Sequence, residues 1–247
     1  MSLTAMNPPD GEIGRARLEK PAAGEKETVL FAWSGGKDSA LALHAVQQAG
    51  QYEVAALLTT VTEGYERVSI HGVRRELLEA QAAALGYPLE VVYIPQKSSN
   101  EVYEQRMRRA LARFKEKGIT RNVFGDIFLE EVRAYREKNL GQIGMRGVFP
   151  LWGEPTRALA GRFIAAGFRA VLTCVDTQTL DGEYAGREYD NALIESLPPQ
   201  VDPCGENGEF HTFVYAGPIF NRALQIRRGE SVLREGRFQY CDLQPGG

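Results

Sequence analysis

From Thr28 onward the chain alternates short apolar runs with longer amphipathic stretches, the pattern of a parallel sheet covered by helices. Thr28–Trp33 predicts a buried strand. The glycine-containing segment 34–36 follows it directly, and Lys37–Ala49 predicts an Ala/Leu-rich helix stopped by Gly50. Val54–Thr60 predicts a second strand, Val73–Leu85 a second helix ended by Gly86, and Leu89–Ile94 a third strand. Ser98-x-x-Glu101 has capping-box spacing, and behind it Tyr103, Met107, Ala110, Leu111 and Phe114 recur at helical intervals up to Gly118. Asn122–Ile127 predicts a fourth strand, Leu129–Asn139 a charged, exposed helix, and Gly147–Trp152 a short apolar run before Pro155, which sits where a helix starts. Arg169–Val175 predicts one more strand.

Beyond about residue 180 Pro, Gly and Asp become frequent, and Thr212–Leu243 reads as short strands with turn signals at Arg228-Gly229 and Glu235-Gly236. No internal repeat interrupts this plan. The expected fold is therefore α/β, a parallel Rossmann-like sheet flanked by helices, followed by a smaller C-terminal α+β part over the same cleft. The expected division is a leader over 1–27, an α/β domain over 28–130 and a substrate-binding domain over 131–247. The leader mixes Pro, Gly, Ala, Glu and Lys without hydrophobic period, so it reads as disordered.

Composition narrows the partners. A chain of 247 residues buries a proper core without external staples. With 29 basic against 32 acidic side chains the net charge is −3, which argues against a general nucleic-acid or membrane surface. Cys174, Cys204 and Cys241 are odd in number and far apart, without a Cys-x-x-Cys pair, and fit a reducing cytosol. The longest apolar run falls far short of the ~20 residues that a bilayer crossing needs, so a cytoplasmic protein is expected.

The segment Phe31-Ala32-Trp33-Ser34-Gly35-Gly36-Lys37-Asp38-Ser39 carries the chemistry. A buried strand runs into two glycines and then a helix. The glycines let backbone N–H groups approach an anion, and the helix N-terminus adds free donors and the positive end of its dipole. Ser34 and Ser39 add hydroxyls and Lys37 adds charge. Asp38, an acid in an anion site, is explained most simply as a ligand for Mg²⁺. A tight strand-to-helix turn capped by Ser or Asp is the alternative for an arbitrary Gly-Gly pair. The spacing fits neither the common P-loop nor the dinucleotide fingerprint.

The six-residue string Ser34–Ser39 resembles the PP-loop of ATP pyrophosphatases, a family that includes GMP synthetase, NAD synthetase, asparagine synthetase and tRNA-modifying enzymes. Three further strings, Phe124-Gly125-Asp126, Pro150-Leu151-Trp152 and Asp202–Phe213, occur in an order similar to the diphthine-ammonia ligase type of PP-loop protein. The resemblance covers nearly all of residues 28–222. It implies ATP as nucleotide, attack at its α-phosphorus and release of pyrophosphate, with adenylylation of a carboxylate followed by attack of ammonia. The expected partners are thus ATP, Mg²⁺, ammonium and an acceptor carboxylate on a protein or small molecule, with a homo-oligomer left open.

The nucleotide-site candidates are Ser34, Gly35, Gly36, Lys37, Asp38, Ser39, Thr60, His71, Gly125 and Asp126. Thr60 and His71 enter because the connection from Thr59 to His71 lies near the nucleotide in this fold class, although a solvated helix start also explains His71. Asp126 reads equally as a structural cap after a strand and as a holder of Mg²⁺ or ribose. Trp152 reads as core. Gly205, Glu206, Glu209, His211 and Thr212 form the acceptor-site candidates. Two acids, an imidazole and a hydroxyl within so short a stretch are costly to bury unpaired. Glu206 and Glu209 suit ammonium binding or leaving-group orientation, and His211 with Thr212 suits proton transfer or acceptor binding. Catalytic roles are expected for Lys37, Asp38, Glu206, Glu209 and His211. Two other functions share these features: a PP-loop enzyme modifying tRNA or a small metabolite, for which Cys204 would be the reactive thiol, and a non-catalytic nucleotide-binding module.

Overall fold

The computed structural model describes residues 26–65, 67–68 and 72–246. The expected leader lies outside them apart from its last two residues, and so does His71.

The first sheet holds β1 (Glu27–Ala32), β2 (Tyr52–Thr62), β3 (Arg67–Val68), β4 (Leu89–Ile94), β5 (Arg121–Val123) and β6 (Arg146–Val148). Its main path runs β3-β2-β1-β5-β6, with β4 on β2, and every pairing is parallel except the short β2–β3 contact. The helices between strands are α1 (Lys37–Ala49), α2 (Arg75–Leu85), α3 (Asn100–Glu116) and α4 (Glu130–Gly141). A second sheet follows α5 (Thr156–Ala165). It is antiparallel, in the order β8-β7-β10-β9, from β7 (Arg169–Asp176), β8 (Phe210–Ala216), β9 (Ile226–Arg234) and β10 (Phe238–Pro245), with α6 (Asn191–Ser196) between β7 and β8. The α/β plan with a smaller second part is what the structure has. The expected division after residue 130 falls inside α4, whose chain returns as β6 to the first sheet.

Several elements follow from local rules. Gly50 and Gly86 adopt left-handed φ of 66° and 78° and terminate α1 and α2, where any other residue would be strained. Glu235 and Gly236, at φ 53° and 62°, are the central residues of the turn closed by the Arg237 N–H on the Arg234 carbonyl, within the three residues joining β9 to β10, because two successive left-handed residues match the twist of a hairpin. Three readings need correction. The capping box at Ser98 is absent: Ser99 precedes α3 and makes no side-chain cap bond. Ser98 instead belongs to the turn closed by its N–H on the Pro95 carbonyl. Arg228-Gly229 is no turn but lies inside β9, paired with β10. The strand expected over Asn122–Ile127 stops at Val123, because the chain leaves the sheet to bring Gly125 against α1.

One hydrophobic cluster joins the two sheets. It runs from Val29 and Phe31 of β1 through Leu41 and Leu43 of α1 and Leu77 and Leu78 of α2 to Val171 of β7 and Phe213 of β8. A second cluster lies on the other face of the first sheet, where Ala110 and Leu111 of α3 cover Leu30, Leu58 and Phe124. The heptad-like stripe of α3 faces this cluster, as its spacing predicts. β2 continues the sheet on one side of β1 and β5 on the other, so the carboxyl ends of β1 and β5 flank a topological switch point, where open α/β sheets form their ligand crevices.

Candidate active site

β1 ends at the switch point, and Trp33 prolongs its pairing by donating its N–H to the Leu58 carbonyl at 2.8 Å. The chain then turns through Gly35 at φ 80° and enters α1 at the N-cap Gly36. A side chain at Gly35 would be both strained and blocked, since its Cβ would lie 2.6 Å from Leu78 Cδ2. The helix N-terminus is braced by short polar contacts: Ser39 Oγ donates to the Gly36 carbonyl at 2.9 Å, and Ser34 Oγ lies 3.2 Å from Ser39 Oγ. The first-turn N–H groups of such a helix have no carbonyl within it to bond, which makes them donors for an anion, apart from that of Lys37, which donates to Thr212 Oγ1.

Opposite this loop stands Gly125, after β5. Its Cβ would lie 2.9 Å from both Asp38 C and Ser39 N, which are backbone atoms that cannot swing aside. Gly125→Ala is therefore expected to displace the start of α1, costing roughly 1–3 kcal/mol, and to weaken binding of a phosphate-bearing ligand at this loop. Thermal unfolding beside calorimetric titration checks this; an alanine variant with unchanged stability would contradict it.

The second sheet closes the cleft from above. Thr212 of β8 uses its hydroxyl oxygen to accept the Lys37 N–H at 3.0 Å, so a residue read as acceptor-binding caps the phosphate-loop helix. His211 lines the cleft one residue before it. The loop before β8 is folded by Asp202, whose Oδ1 accepts the N–H groups of Cys204 at 2.8 Å and Glu206 at 3.3 Å. Gly205, at φ 65°, lets this loop press on Phe210: a Cβ there would lie 2.7 Å from the Phe210 carbonyl oxygen.

The charged candidates separate by position. Lys37 is only 4% exposed. Its ammonium donates to both Asp38 carboxylate oxygens, at 2.8 and 2.9 Å, and to the Cys204 carbonyl. It also lies over the rings of Phe210 and Tyr189, at 5.5 and 5.8 Å. Burial is the largest single influence and opposes that charge, but the Asp38 carboxylate, Cys204 and Glu206 together hold the Lys37 pKa above its ordinary value. Glu206 reaches from the second part into the first, its Oε1 accepting the Ile127 N–H at 2.8 Å. Burial, reinforced by Asp38 and Asp126 against the Ile127 bond, pushes its carboxyl up to about 7. Glu209 is turned into its own loop: Oε1 accepts from Asp202 N–H and Asn207 Nδ2, both at 3.0 Å, and the buried Oε2 has no hydrogen-bond partner. Asp126 is held by Arg136 of α4, with Nε 2.7 Å from Oδ2 and Nη2 3.0 Å from Oδ1. Trp152 packs at the edge of the second cluster, under the Arg133 guanidinium at 4.7 Å.

Lys37, Asp38, Asp126, Glu206 and His211 line one cleft of about 660 Å³, together with Thr59, Thr60 and Asn122, whereas Glu209 and Trp152 lie outside its lining. That volume is of the size small-molecule and cofactor sites have. A nucleoside triphosphate fits its donor set: two hydroxyls, a helix N-terminus and a glycine-lined floor. Among the described residues no three His, Cys, Asp or Glu side chains are grouped to hold a metal ion. Mg²⁺ needs no such group, because it is held through one or two carboxylates with phosphate oxygens and water supplying the rest. Asp38 is the carboxylate placed to contribute.

Three lining or bracing residues gave no signal in sequence. Gln81 looks like any helix position, yet it is fully buried against the loop. Asn122 is only 1% exposed on β5, with its Oδ1 unpartnered. Tyr189 donates its hydroxyl to the Pro203 carbonyl at 2.7 Å and so holds the loop around Lys37.

Comparison with known proteins agrees with this arrangement. Residues 26–147 match the diphthamide synthase N-terminal domain, and residues 155–244 match the diphthamide synthase C-terminal domain. The first match ends within β6, the last strand of the first sheet, and the second begins one residue before α5. The diphthine--ammonia ligase of Schizosaccharomyces pombe is 22% identical over 241 residues, covering 87% of this chain and 38% of that protein. Because the family's two domains match in order and together span both sheets, the chain belongs to the diphthine-ammonia ligase family.

Proposed function

We propose that the chain is an ATP-dependent amidoligase: it adenylylates a carboxylate with release of pyrophosphate, and ammonia then displaces AMP to form an amide. The observation carrying this reading is the cleft itself, in which a phosphate-binding helix N-terminus faces a carboxyl raised to about 7. In the first step a carboxylate oxygen of the acceptor bonds to the α-phosphorus and the bond to pyrophosphate breaks. Ser34, Ser39 and the first-turn N–H groups of α1 hold the departing phosphates. Mg²⁺ on Asp38 would neutralise charge on that leaving group. In the second step the nitrogen lone pair of ammonia attacks the acyl carbon and the bond to AMP breaks. Ammonium must first lose a proton, and a carboxylate titrating near 7 is suited to take it.

The acceptor enters from the side of β8. His211 faces the cleft there without belonging to the phosphate loop. His211→Ala is expected to leave ATP affinity within a few fold and to lower turnover by roughly 10²-fold, the size of a lost acid-base or orienting group. Parallel loss of ATP binding in the folded variant would move His211 into the nucleotide site.

Thiolation through Cys204 finds no support in its surroundings. The thiol is buried, donates to the Thr156 carbonyl at 3.3 Å, and is pushed up to about 12 by burial, so it carries no thiolate at neutral pH. The test of the amidoligase reading supplies ATP, ¹⁵N-ammonium and elongation factor 2 bearing diphthine, and reads the label by mass spectrometry. ATP-dependent ¹⁵N in the acceptor supports the reading. ATP binding without ¹⁵N transfer would leave the loop a nucleotide site for another acceptor.

A further inference from the structure

The phosphate loop is gripped from behind by one uncharged side chain. Gln81, on the inner face of α2, is 0% exposed. Its Oε1 accepts the indole N–H of Trp33 at 2.9 Å. Its Nε2 donates to two carbonyls, Gly35 at 3.0 Å and Val214 at 2.5 Å. Both donors and one acceptor of the carboxamide are thus used, in a place where an unmet polar group would cost about 1–3 kcal/mol. The Gly35 carbonyl also accepts the Val214 N–H at 2.9 Å. Gln81, Gly35 and Val214 therefore form a closed ring of hydrogen bonds joining α2, the phosphate loop and β8.

The ring has a directional consequence. A trans peptide unit is planar, so its carbonyl and the following N–H point in opposite directions. Fixing the Gly35 carbonyl toward Gln81 turns the Gly36 N–H the other way, where it donates to Ser34 Oγ at 3.3 Å, a hydroxyl that lines the cleft. Gly35 is the one loop residue whose left-handed φ, at 80°, gives it freedom to flip. The same ring fixes β8, which carries His211 and Thr212, against the loop. Trp33 completes the clamp by holding the carboxamide in one orientation.

We propose that Gln81 is a positioning residue: it holds the Gly35–Gly36 peptide with its N–H on the Ser34 hydroxyl, orienting that hydroxyl for the triphosphate, and sets the spacing between the phosphate loop and the acceptor strand. It touches no substrate. The proposal rests on the reading of this loop as an ATP site. No charged side chain would serve, because a Lys or Arg would leave Trp33 without an acceptor and a carboxylate would face two carbonyl oxygens.

The test uses Gln81→Met, which keeps length and volume while removing all three bonds. Calorimetric titration with MgATP is the readout, alongside thermal unfolding. Val171→Ala, a core truncation in β7 far along the chain from the loop, serves as a stability-matched control. Gln81→Met is expected to weaken MgATP binding ~10-fold, about the size of one net hydrogen bond, while Val171→Ala leaves affinity unchanged. A Gln81→Met affinity equal to that of the control would overturn the proposal and leave Gln81 a structural residue. Trp33→Phe covers the case in which Gln81→Met does not fold. It frees only Oε1, and a smaller, few-fold loss of MgATP affinity is expected; none would overturn the proposal. Failure of the unaltered protein to bind MgATP is a different result and would overturn the ATP-site reading itself.

Discussion

Asp38→Ala is expected to lower pyrophosphate release by roughly 10²–10³-fold, the usual cost of removing a preorganised electrostatic group from a reacting phosphate. The same change should also destabilise the fold. Lys37 would keep its charge among the Cys204 carbonyl and the rings of Phe210 and Tyr189, with its carboxylate partner gone. Breaking a fully buried pair costs ~3–5 kcal/mol. Here the Asp38 side chain is 30% exposed, so solvent screening brings the expected loss down to about 2 kcal/mol. Asp38→Asn separates the two effects, because an amide oxygen still accepts from the ammonium but binds Mg²⁺ weakly. Denaturant unfolding beside a pyrophosphate assay distinguishes them. A near-normal rate in both variants would make Asp38 the partner of Lys37 and nothing more.

The second large effect is expected at Glu206. Its carboxyl, pushed up to about 7, is ionised only above neutrality, so a base role predicts turnover that rises with pH through about 7. Glu206→Gln should lower turnover roughly 10²-fold and flatten that limb of the profile. Stability moves the opposite way. A carboxyl held at about 7 in the fold, against 4.5 unperturbed, contributes stability that is complete below 4.5 and lost as pH rises through about 7. Glu206→Gln, lacking the titration, should therefore lose less stability than the unaltered protein between these two values. Measured unfolding curves at several pH values supply the second readout. An unchanged pH-rate limb in Glu206→Gln would assign the neutral titration to another group.

The parts of the fold set by short-range rules were legible in the sequence. α1 begins and ends where Lys37 and Gly50 place it, and β4 has the bounds of its apolar run, because left-handed glycines and short buried runs act within a few residues. Glu235-Gly236 signalled a turn and makes one. Arg228-Gly229 signalled one and does not: Arg228 pairs with Leu243 of β10 and Gly229 falls at the irregularity where the register shifts before Ser231, so strand pairing on either side overrides the local preference. β5 is shorter than its apolar run suggests because, after Phe124 donates its N–H to the Val148 carbonyl of β6, the chain turns away to bring Gly125 against α1.

The site was legible where chemistry resides in unusual residue combinations. Ser34–Ser39, Gly125, Asp126, Glu206 and His211 come together around one cleft although they lie far apart in sequence. Thr212 and Glu209 were read as acceptor-facing, and the structure shows their oxygens accepting from the Lys37 N–H and from the 202–209 loop. Gln81 and Tyr189 were invisible, because their roles depend on carbonyls supplied by distant segments, Val214 and Pro203, and a lone Gln or Tyr announces no such partner. Spacing can reveal what a loop does with its own atoms. It cannot reveal which buried amide braces it.

On the amidoligase proposal, the cleft breaks ATP between the α- and β-phosphorus. Phosphorus NMR of the full chain turning over with MgATP, ammonium and diphthine-bearing elongation factor 2 tests it directly, since AMP, ADP, pyrophosphate and orthophosphate resolve as separate resonances. AMP and pyrophosphate are expected to grow together from the first time point; ADP and orthophosphate as the primary products would rule the amidoligase proposal out.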